Sequence, residues 1–105
     1  MIARVWRGWT VPEKADQYQR LLTTEILPLI EARGVVGYRG AEVYRRTFGS
    51  EVEFVTTLRF DSWQAVREFA GEHFDVAVVP PQAQALLARF DERSTHYEVV
   101  GERIS

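Results

Sequence analysis

Apolar and polar residues alternate along several segments of the chain, and this alternation predicts β-strands. It is clearest over residues 51–60, where one face carries Val52, Phe54, Thr56, Leu58 and Phe60. Residues 2–9, 36–47 and 94–100 are predicted to form the other strands. The short connection over residues 47–50 predicts a hairpin between the second and third strands.

A longer segment, residues 12–32, has the three- and four-residue periodicity of an amphipathic helix. Its apolar positions are Tyr18, Leu21, Leu22, Ile26, Leu29 and Ile30. Thr10, followed three residues later by Glu13, predicts a capping box at the start of this helix. Pro28 removes one backbone hydrogen bond inside the helix and therefore predicts a kink.

Two further helices are predicted in the second half of the chain. The first spans residues 62–71 and has Asp61 or Ser62 as its N-cap. The second is short and begins at Pro81. Residues 72–80 between them are predicted to be irregular.

These elements follow the βαββαβ order of a ferredoxin-like α+β domain. Two βαβ crossovers place both long helices on one face of a four-stranded antiparallel sheet. Trp6 and Trp9 are an odd number of residues apart in the first strand, so they point to opposite faces and the helices cover only one of them. A bare aromatic face on a small monomer is unusual, and the pattern therefore predicts a homodimer through this sheet face.

Composition and charge limit the classes of function that remain open. The 105 residues fit a single domain, 1–105, and 46% hydrophobic with 27% charged residues argue against disorder. The absence of cysteine excludes disulfides and thiolate catalysis. A net charge of −2 without a basic cluster argues against nucleic acid. The lack of a long apolar run or a signal-peptide pattern argues against a membrane and predicts a cytoplasmic protein.

The two histidines are the first candidates for proton transfer. His73 follows the second helix and is either a general base or an exposed loop residue. His96, in the last strand, either orients a substrate hydroxyl or is a paired, partly buried interface histidine. They are 23 positions apart without a second cluster of ligands, which predicts no metal site.

A ligand is expected between the helices and the helix-facing side of the sheet, near Arg7, Trp9, Phe69 and His73. Arg7 beside an aromatic could bind an anionic or phenolic ligand, although an ion pair with a helix carboxylate is the simpler interpretation. The irregular stretch 72–80 would form a rim or lid. If His73 is the base, its replacement by alanine should lower turnover of a phenolic substrate by about 10²–10⁴-fold.

Three passages resemble the antibiotic biosynthesis monooxygenase-like family of dimeric α/β barrels, and the resemblance covers nearly the whole chain. They are Ile2-Ala3-Arg4-Val5-Trp6, Glu51-Val52-Glu53-Phe54-Val55 and Phe60-Asp61-Ser62-Trp63-Gln64-Ala65-Val66. The last passage is similar to the aromatic-x-Ser-x-x-Ala turn that leads into helix two of the family. The resemblance implies a dimeric α/β barrel with this fold.

The same resemblance implies a cofactor-independent monooxygenase acting on a small aromatic or polyketide-like substrate. In such enzymes a deprotonated phenol or quinol itself reduces dioxygen, so no cofactor is expected. A non-catalytic dimeric protein that binds a small molecule in the same cavity is the alternative. The haem-degrading branch of the family uses an asparagine, a tryptophan and a histidine where this chain has Arg7, Phe69 and Val79. The resemblance therefore argues against haem degradation.

Overall fold

The structure is a computed structural model that describes residues 1–104 of the chain. Its elements follow in the order β1 (Ile2–Thr10), α1 (Pro12–Leu21), a π-helical turn (Leu22–Ile26), α2 (Leu27–Ala32), β2 (Tyr38–Phe48), β3 (Glu51–Phe60), α3 (Trp63–Ala70), α4 (Pro81–Leu86), β4 (Arg89–Phe90) and β5 (Thr95–Glu98). Within these residues no helix is long and apolar enough to cross a membrane.

The strands form one antiparallel sheet with β1 in the middle. The strand order is β2-β3-β1-β4, and β5 pairs with β1 further along the same edge. β1 pairs with β3 without interruption, from Ile2 opposite Phe60 to Thr10 opposite Val52. The predicted ferredoxin-like α+β fold is confirmed, but the sheet has five strands rather than four because the two-residue β4 adds a short pair beside β1.

The two faces of the sheet differ in what covers them. The inner face carries the even-numbered residues of β1 and β3, and the helices pack against it. Tyr18 of α1 lies edge-on to Phe54 at a centroid distance of 4.9 Å, and Val66 of α3 packs in a second cluster with Phe60. The outer face carries the odd-numbered residues of the same strands, and no helix of the described chain packs against it.

Helix α1 begins without the predicted capping box. Thr10 is the last residue of β1, and its buried hydroxyl has no hydrogen-bond partner within the described chain, so it does not cap the helix. Val11 occupies the N-cap position and has no side-chain oxygen to offer. Pro12 takes the first turn, where a missing N–H breaks no helical hydrogen bond. The capping-box prediction is wrong because the strand continues to Thr10.

The predicted interruption near Pro28 takes the form of a π-helical turn just before it. The Leu27 N–H donates to the carbonyl of Leu22, one residue further back than in an α-helix. Because Pro28 has no N–H to donate, this wider turn accommodates the lost bond. Leu22, Ile26 and Ile30 lie on the sheet-facing side of this region and shape the cavity described below.

Helix α3 begins and ends close to the predicted positions. Ser62 Oγ accepts a hydrogen bond from the Ala65 N–H at 3.2 Å and thereby satisfies one N-terminal donor. Asp61, the other predicted cap, forms an ion pair with an arginine of β2 instead. Gly71 ends the helix with a φ of 83°, a conformation that favours glycine. Residues 72–80 are irregular, as predicted, apart from one isolated bridge.

Candidate functional site

A largely apolar cavity of about 480 Å³ lies between the inner face of the sheet and the helices. Arg4, Trp6, Thr56 and Leu58 form its floor, because they are neighbours on the inner face of β1 and β3. Most of its walls are leucine, isoleucine, valine and alanine side chains from the helices and from the 72–80 segment. A cavity of this size and character suits a small organic ligand.

The mouth of the cavity lies between α2 and the 72–80 segment. Leu29 is 68% exposed and Val78 is 83% exposed, and both belong to the cavity lining. Two exposed aliphatic side chains facing an opening form an apolar rim rather than a closed core. The prediction that residues 72–80 border the cavity is confirmed, since Ala77 to Pro80 form part of its wall.

Arg4 is the most unusual residue of the cavity floor. It is only 6% exposed, although its guanidinium carries a charge. Nη1 donates to the Phe74 carbonyl and lies 3.1 Å from His96 Nε2. No carboxylate of the described residues lies within 4.0 Å of it. Burial lowers the pKa of Arg4 from its usual value, and the more distant Asp75 partly offsets this effect.

Phe69 connects the floor of the cavity to its mouth. Its ring lies between two guanidinium groups, at 5.6 Å from Arg4 and 4.6 Å from the exposed Arg33. Arg33 also donates to the Phe69 carbonyl at 2.9 Å, which holds the end of α3 against α2. The structure places Phe69 in the cavity lining, and its contact with a ligand stays a prediction.

The remaining polar groups of the cavity are neutral. Burial raises the pKa of Tyr18 to about 12, so its phenol stays protonated at neutral pH. The Thr56 hydroxyl is buried and has no hydrogen-bond partner within the described chain. Among the described lining residues, Arg4 and Arg33 are the charged ones, and none is a histidine, aspartate or glutamate. The cavity therefore has positive charge but no protein base of its own.

Arg7 and Trp9 lie on the outer face, and the prediction that they border a helix-side cavity is wrong. They pair across β3 with Val55 and Glu53, whereas the cavity floor is formed by the alternate residues of the strand. Arg7 forms an ion pair at 3.0 Å with Asp91, which belongs to the connection between β4 and β5 and not to a helix. Trp9 is covered by guanidinium groups, the nearer being that of Arg89 at 3.9 Å.

The two histidines occupy different environments. His73 is exposed and does not line the cavity, so its predicted role as the base has no support from the geometry. His96 is half-buried on the inner face, where it pairs opposite Arg4 and packs against Trp63 and Phe74. It holds a cavity residue in place without lining the cavity itself, and its contact with a ligand stays a prediction.

Sequence reasoning missed Arg4 and Trp6, which the structure places on the cavity floor. The Trp6 indole N–H donates to the Asp91 carbonyl at 2.7 Å, which fixes the ring at the edge of the site. The deciding feature is the register of β1 against β3, which places the even-numbered residues of both strands on the inner face. Given that register, the alternation of β1 selects Arg4 and Trp6 over Arg7 and Trp9, but the sequence alone carries no signal for the register.

Comparison with known proteins gives structural matches only. No protein-family model and no curated protein matches the chain. The structure of Rv0793 from Mycobacterium tuberculosis matches 96% of both chains at 22% identity and a TM-score of 0.62. A candidate antibiotic biosynthesis monooxygenase from Bacillus cereus matches 100% of this chain and 96% of its own at 14% identity and a TM-score of 0.70.

A third match is a monooxygenase from the gene ActVA-Orf6 of Streptomyces coelicolor, solved in complex with the ligand nanaomycin D. It matches 99% of this chain and 91% of its own at 19% identity and a TM-score of 0.63. At these identities the likeness is one of fold. At that level it confirms the resemblance to antibiotic biosynthesis monooxygenase-like proteins that the sequence predicted.

Proposed function

We propose that the protein is a cofactor-independent monooxygenase that oxidises a small aromatic or polyketide-like substrate in the cavity. The observation that carries this proposal is the apolar cavity of about 480 Å³ whose only charges, among the described lining residues, are those of two arginines. Such a site can take up a flat aromatic molecule, exclude water from it and favour its ionised form. The likeness of fold to proteins named as monooxygenases supports the same reaction class.

The chemistry asks the protein to stabilise an anion rather than to hold a redox group. Ionisation of the phenol makes a ring CH₂ group of the same substrate able to give electrons to dioxygen. This CH₂ group is thereby oxidised to C=O. One oxygen atom forms the new carbonyl, and the other leaves as water with the two hydrogens of the CH₂. A guanidinium within about 4–6 Å lowers the pKa of a neighbouring acid by roughly 1–3 units, so Arg4 favours uptake of the substrate as its phenolate, the proton passing to bulk water outside the cavity.

Oxygen uptake with a hydroxylated anthrone, whose product is the anthraquinone, tests this proposal. The protein should accelerate oxygen consumption above the spontaneous rate and give stoichiometric quinone. Val78→Trp places a large side chain at the mouth and should slow the reaction. Val36→Trp is the matched control, because Val36 is 82% exposed and Val78 83% exposed, but only Val78 lines the cavity. Equal rates with both variants, or no acceleration by the wild type, would contradict the proposal.

The alternative is a non-catalytic protein that binds a small molecule in the same cavity. The specific observation in its favour is that His73 is exposed and that no histidine or carboxylate of the described residues lines the cavity. A protein of this kind would bind aromatic ligands in a titration that Val78→Trp weakens, yet would leave the rate of oxygen consumption at the spontaneous level. The two measurements together distinguish the hypotheses.

We expect no haem chemistry in this cavity. Phe69 and Val79 line it, whereas Arg7 is on the outer face, so the three positions compared with the haem-degrading branch do not form one site. Haem iron needs an axial ligand such as histidine or tyrosinate. Tyr18 is the one phenol lining the cavity in the described chain, and burial raises its pKa to about 12, which disfavours the tyrosinate. A haem titration should give no stoichiometric Soret shift.

A further inference from the structure

Arg4 differs from the other arginines of the chain in both burial and pairing. Among the described residues, seven other arginines form ion pairs with carboxylates, and their side chains are 32% to 70% exposed. Arg4 is 6% exposed and has no such partner. A buried charge is costly unless it is paired, so the most buried arginine is the one that should need a carboxylate most. Within the described chain, no carboxylate occupies the place of an ion-pair partner beside Arg4.

One edge of the Arg4 guanidinium has no partner within the described chain, and Arg4 lines the cavity. Its hydrogen bonds within the described chain run through Nη1, toward Phe74 and His96. Nε and Nη2 have no acceptor there, and neither atom is sealed off from solvent. Asp75, whose charge acts on Arg4 from a distance, is itself paired with Arg93. The Nε–Nη2 edge is therefore available to an oxygen anion in the cavity, in the two-point geometry that guanidinium offers.

We propose that Arg4 is the anion-binding residue of the cavity and that the ligand is an aromatic or polycyclic oxygen anion, either a carboxylate or a phenolate. The proposal rests on the proposed function only in assuming that a ligand enters the same cavity. The apolar walls, which include Phe69, take the ring system, and Arg4 holds the charged end at the floor. The positive charge belongs to the site and not to the molecule, since the net charge of the whole chain is −2.

A pair of ligands that differ in charge but not in shape tests this inference. Naphthalene-2-carboxylate and naphthalene-2-carboxamide are titrated into the protein by calorimetry at neutral pH. The carboxylate should bind at least about 10-fold more tightly, because a hydrogen bond to a charged group in a buried site is worth at least that factor. Equal affinities for the two compounds would overturn the proposal without any variant.

Variants assign the preference to Arg4. Arg4→Met should abolish the preference, and Arg4→Lys should keep part of it, because the ammonium retains the charge but loses the two-point geometry. Arg20→Met is the matched control: Arg20 is an exposed arginine that does not line the cavity, so the preference should remain. A preference that survives Arg4→Met, or that disappears with Arg20→Met, would overturn the assignment.

A further comparison separates the two sources of the anion. Naphthalene-2-carboxylate is ionised throughout neutral pH, whereas 2-naphthol ionises only in alkaline solution. If the native ligand is a phenolate, 2-naphthol should release a proton on binding to wild type but not to Arg4→Met. These titrations involve no oxidation. Anion preference without oxygen uptake would remove the proposed function alone, and oxygen uptake without anion preference would remove this inference alone.

Discussion

His96 shows, at the scale of one residue, how a buried guanidinium changes a neighbouring side chain. Its Nε2 lies 3.1 Å from Arg4 Nη1, and its ring is edge-on to Phe74 at 5.2 Å. Because Nη1 can only donate, the fitting form of His96 is neutral with an unprotonated Nε2. Burial, reinforced by the charge of Arg4, lowers the pKa of His96 from its usual 6.5, and Asp75 acts in the opposite direction.

The lowered pKa of His96 makes part of the folding stability depend on pH. Its folded-state pKa lies below the unfolded value, so the unfolded chain binds more protons as the pH falls below about 6.5. The contribution of His96 to stability is therefore complete above that pH and is lost as the pH falls through the folded pKa. His96→Gln cannot be protonated, and its amide oxygen can still accept from Arg4. It should lose less stability than wild type between about pH 7 and pH 5.

Urea denaturation at both pH values checks this prediction. Titration of carboxylates contributes to all the proteins alike, so the informative quantity is the difference between variant and wild type. His73→Gln is the matched control, since it removes the other histidine, whose side chain is exposed. It should follow the wild type. A His96→Gln protein whose stability falls as steeply as that of the wild type would show that His96 does not cause the dependence.

At the scale of the element, β3 and β1 show which part of the fold the sequence predicts and which part it does not. The strict alternation of β3 predicted its bounds and its buried face correctly, because only one of its faces is apolar. In β1 both faces carry a tryptophan, and the inner face also carries Arg4 and Gly8. Hydrophobicity alone therefore does not say which face meets the helices. Only pairing with β3 decides it, and pairing is a long-range property of the fold.

Two further features of the fold, a short strand and a helix start, were not predicted correctly from the sequence, for related reasons. β4 has two residues, and a segment that short has no periodicity to detect. The expected capping box at Thr10 and Glu13 had the right residues, but β1 extended through Thr10 and buried its side chain. Strand pairing therefore overrides the local preference of Thr10 and Glu13 for a capping box. Ser62, in contrast, lies just after a completed strand and is free to act as a cap.

The N-cap of α3 gives a prediction at the same scale. Ser62→Ala removes the oxygen that accepts from the Ala65 N–H, and it should lower the free energy of unfolding by about 1 kcal/mol. Ser50→Ala is the matched control, because Ser50 is an exposed turn residue between β2 and β3. It should change stability by less than about 0.5 kcal/mol. Urea denaturation of both variants checks the difference, and equal effects would remove Ser62 as the cap.

At the scale of the whole molecule, the outer face of the sheet is the feature that a single chain leaves unexplained. Tyr44, Phe48 and Tyr97 are each more than half exposed, at 51%, 56% and 57%. Strand pairing places all three on the outer face, around the half-buried Val5 and Val55. The chain exposes 6852 Å², compared with about 6,000 Å² for a typical monomer of this mass. An aromatic face of this kind is typical of a surface that meets another protein.

We propose that this outer face binds a second copy of the chain, burying more than about 1,000 Å² in total. The face suits a two-fold contact, because apolar side chains at its centre are flanked by paired charges such as Arg46 with Glu53 at 2.7 Å.

Light scattering at micromolar concentration should give twice the 12.1 kDa mass of one chain. Val55→Glu, a charge at the centre of the face, should give the single-chain mass while near-ultraviolet circular dichroism shows an intact fold. Val36→Glu, at an exposed position outside the sheet, should remain dimeric. A wild-type protein with the mass of one chain would contradict the dimer, and so would a Val55→Glu protein with the mass of two.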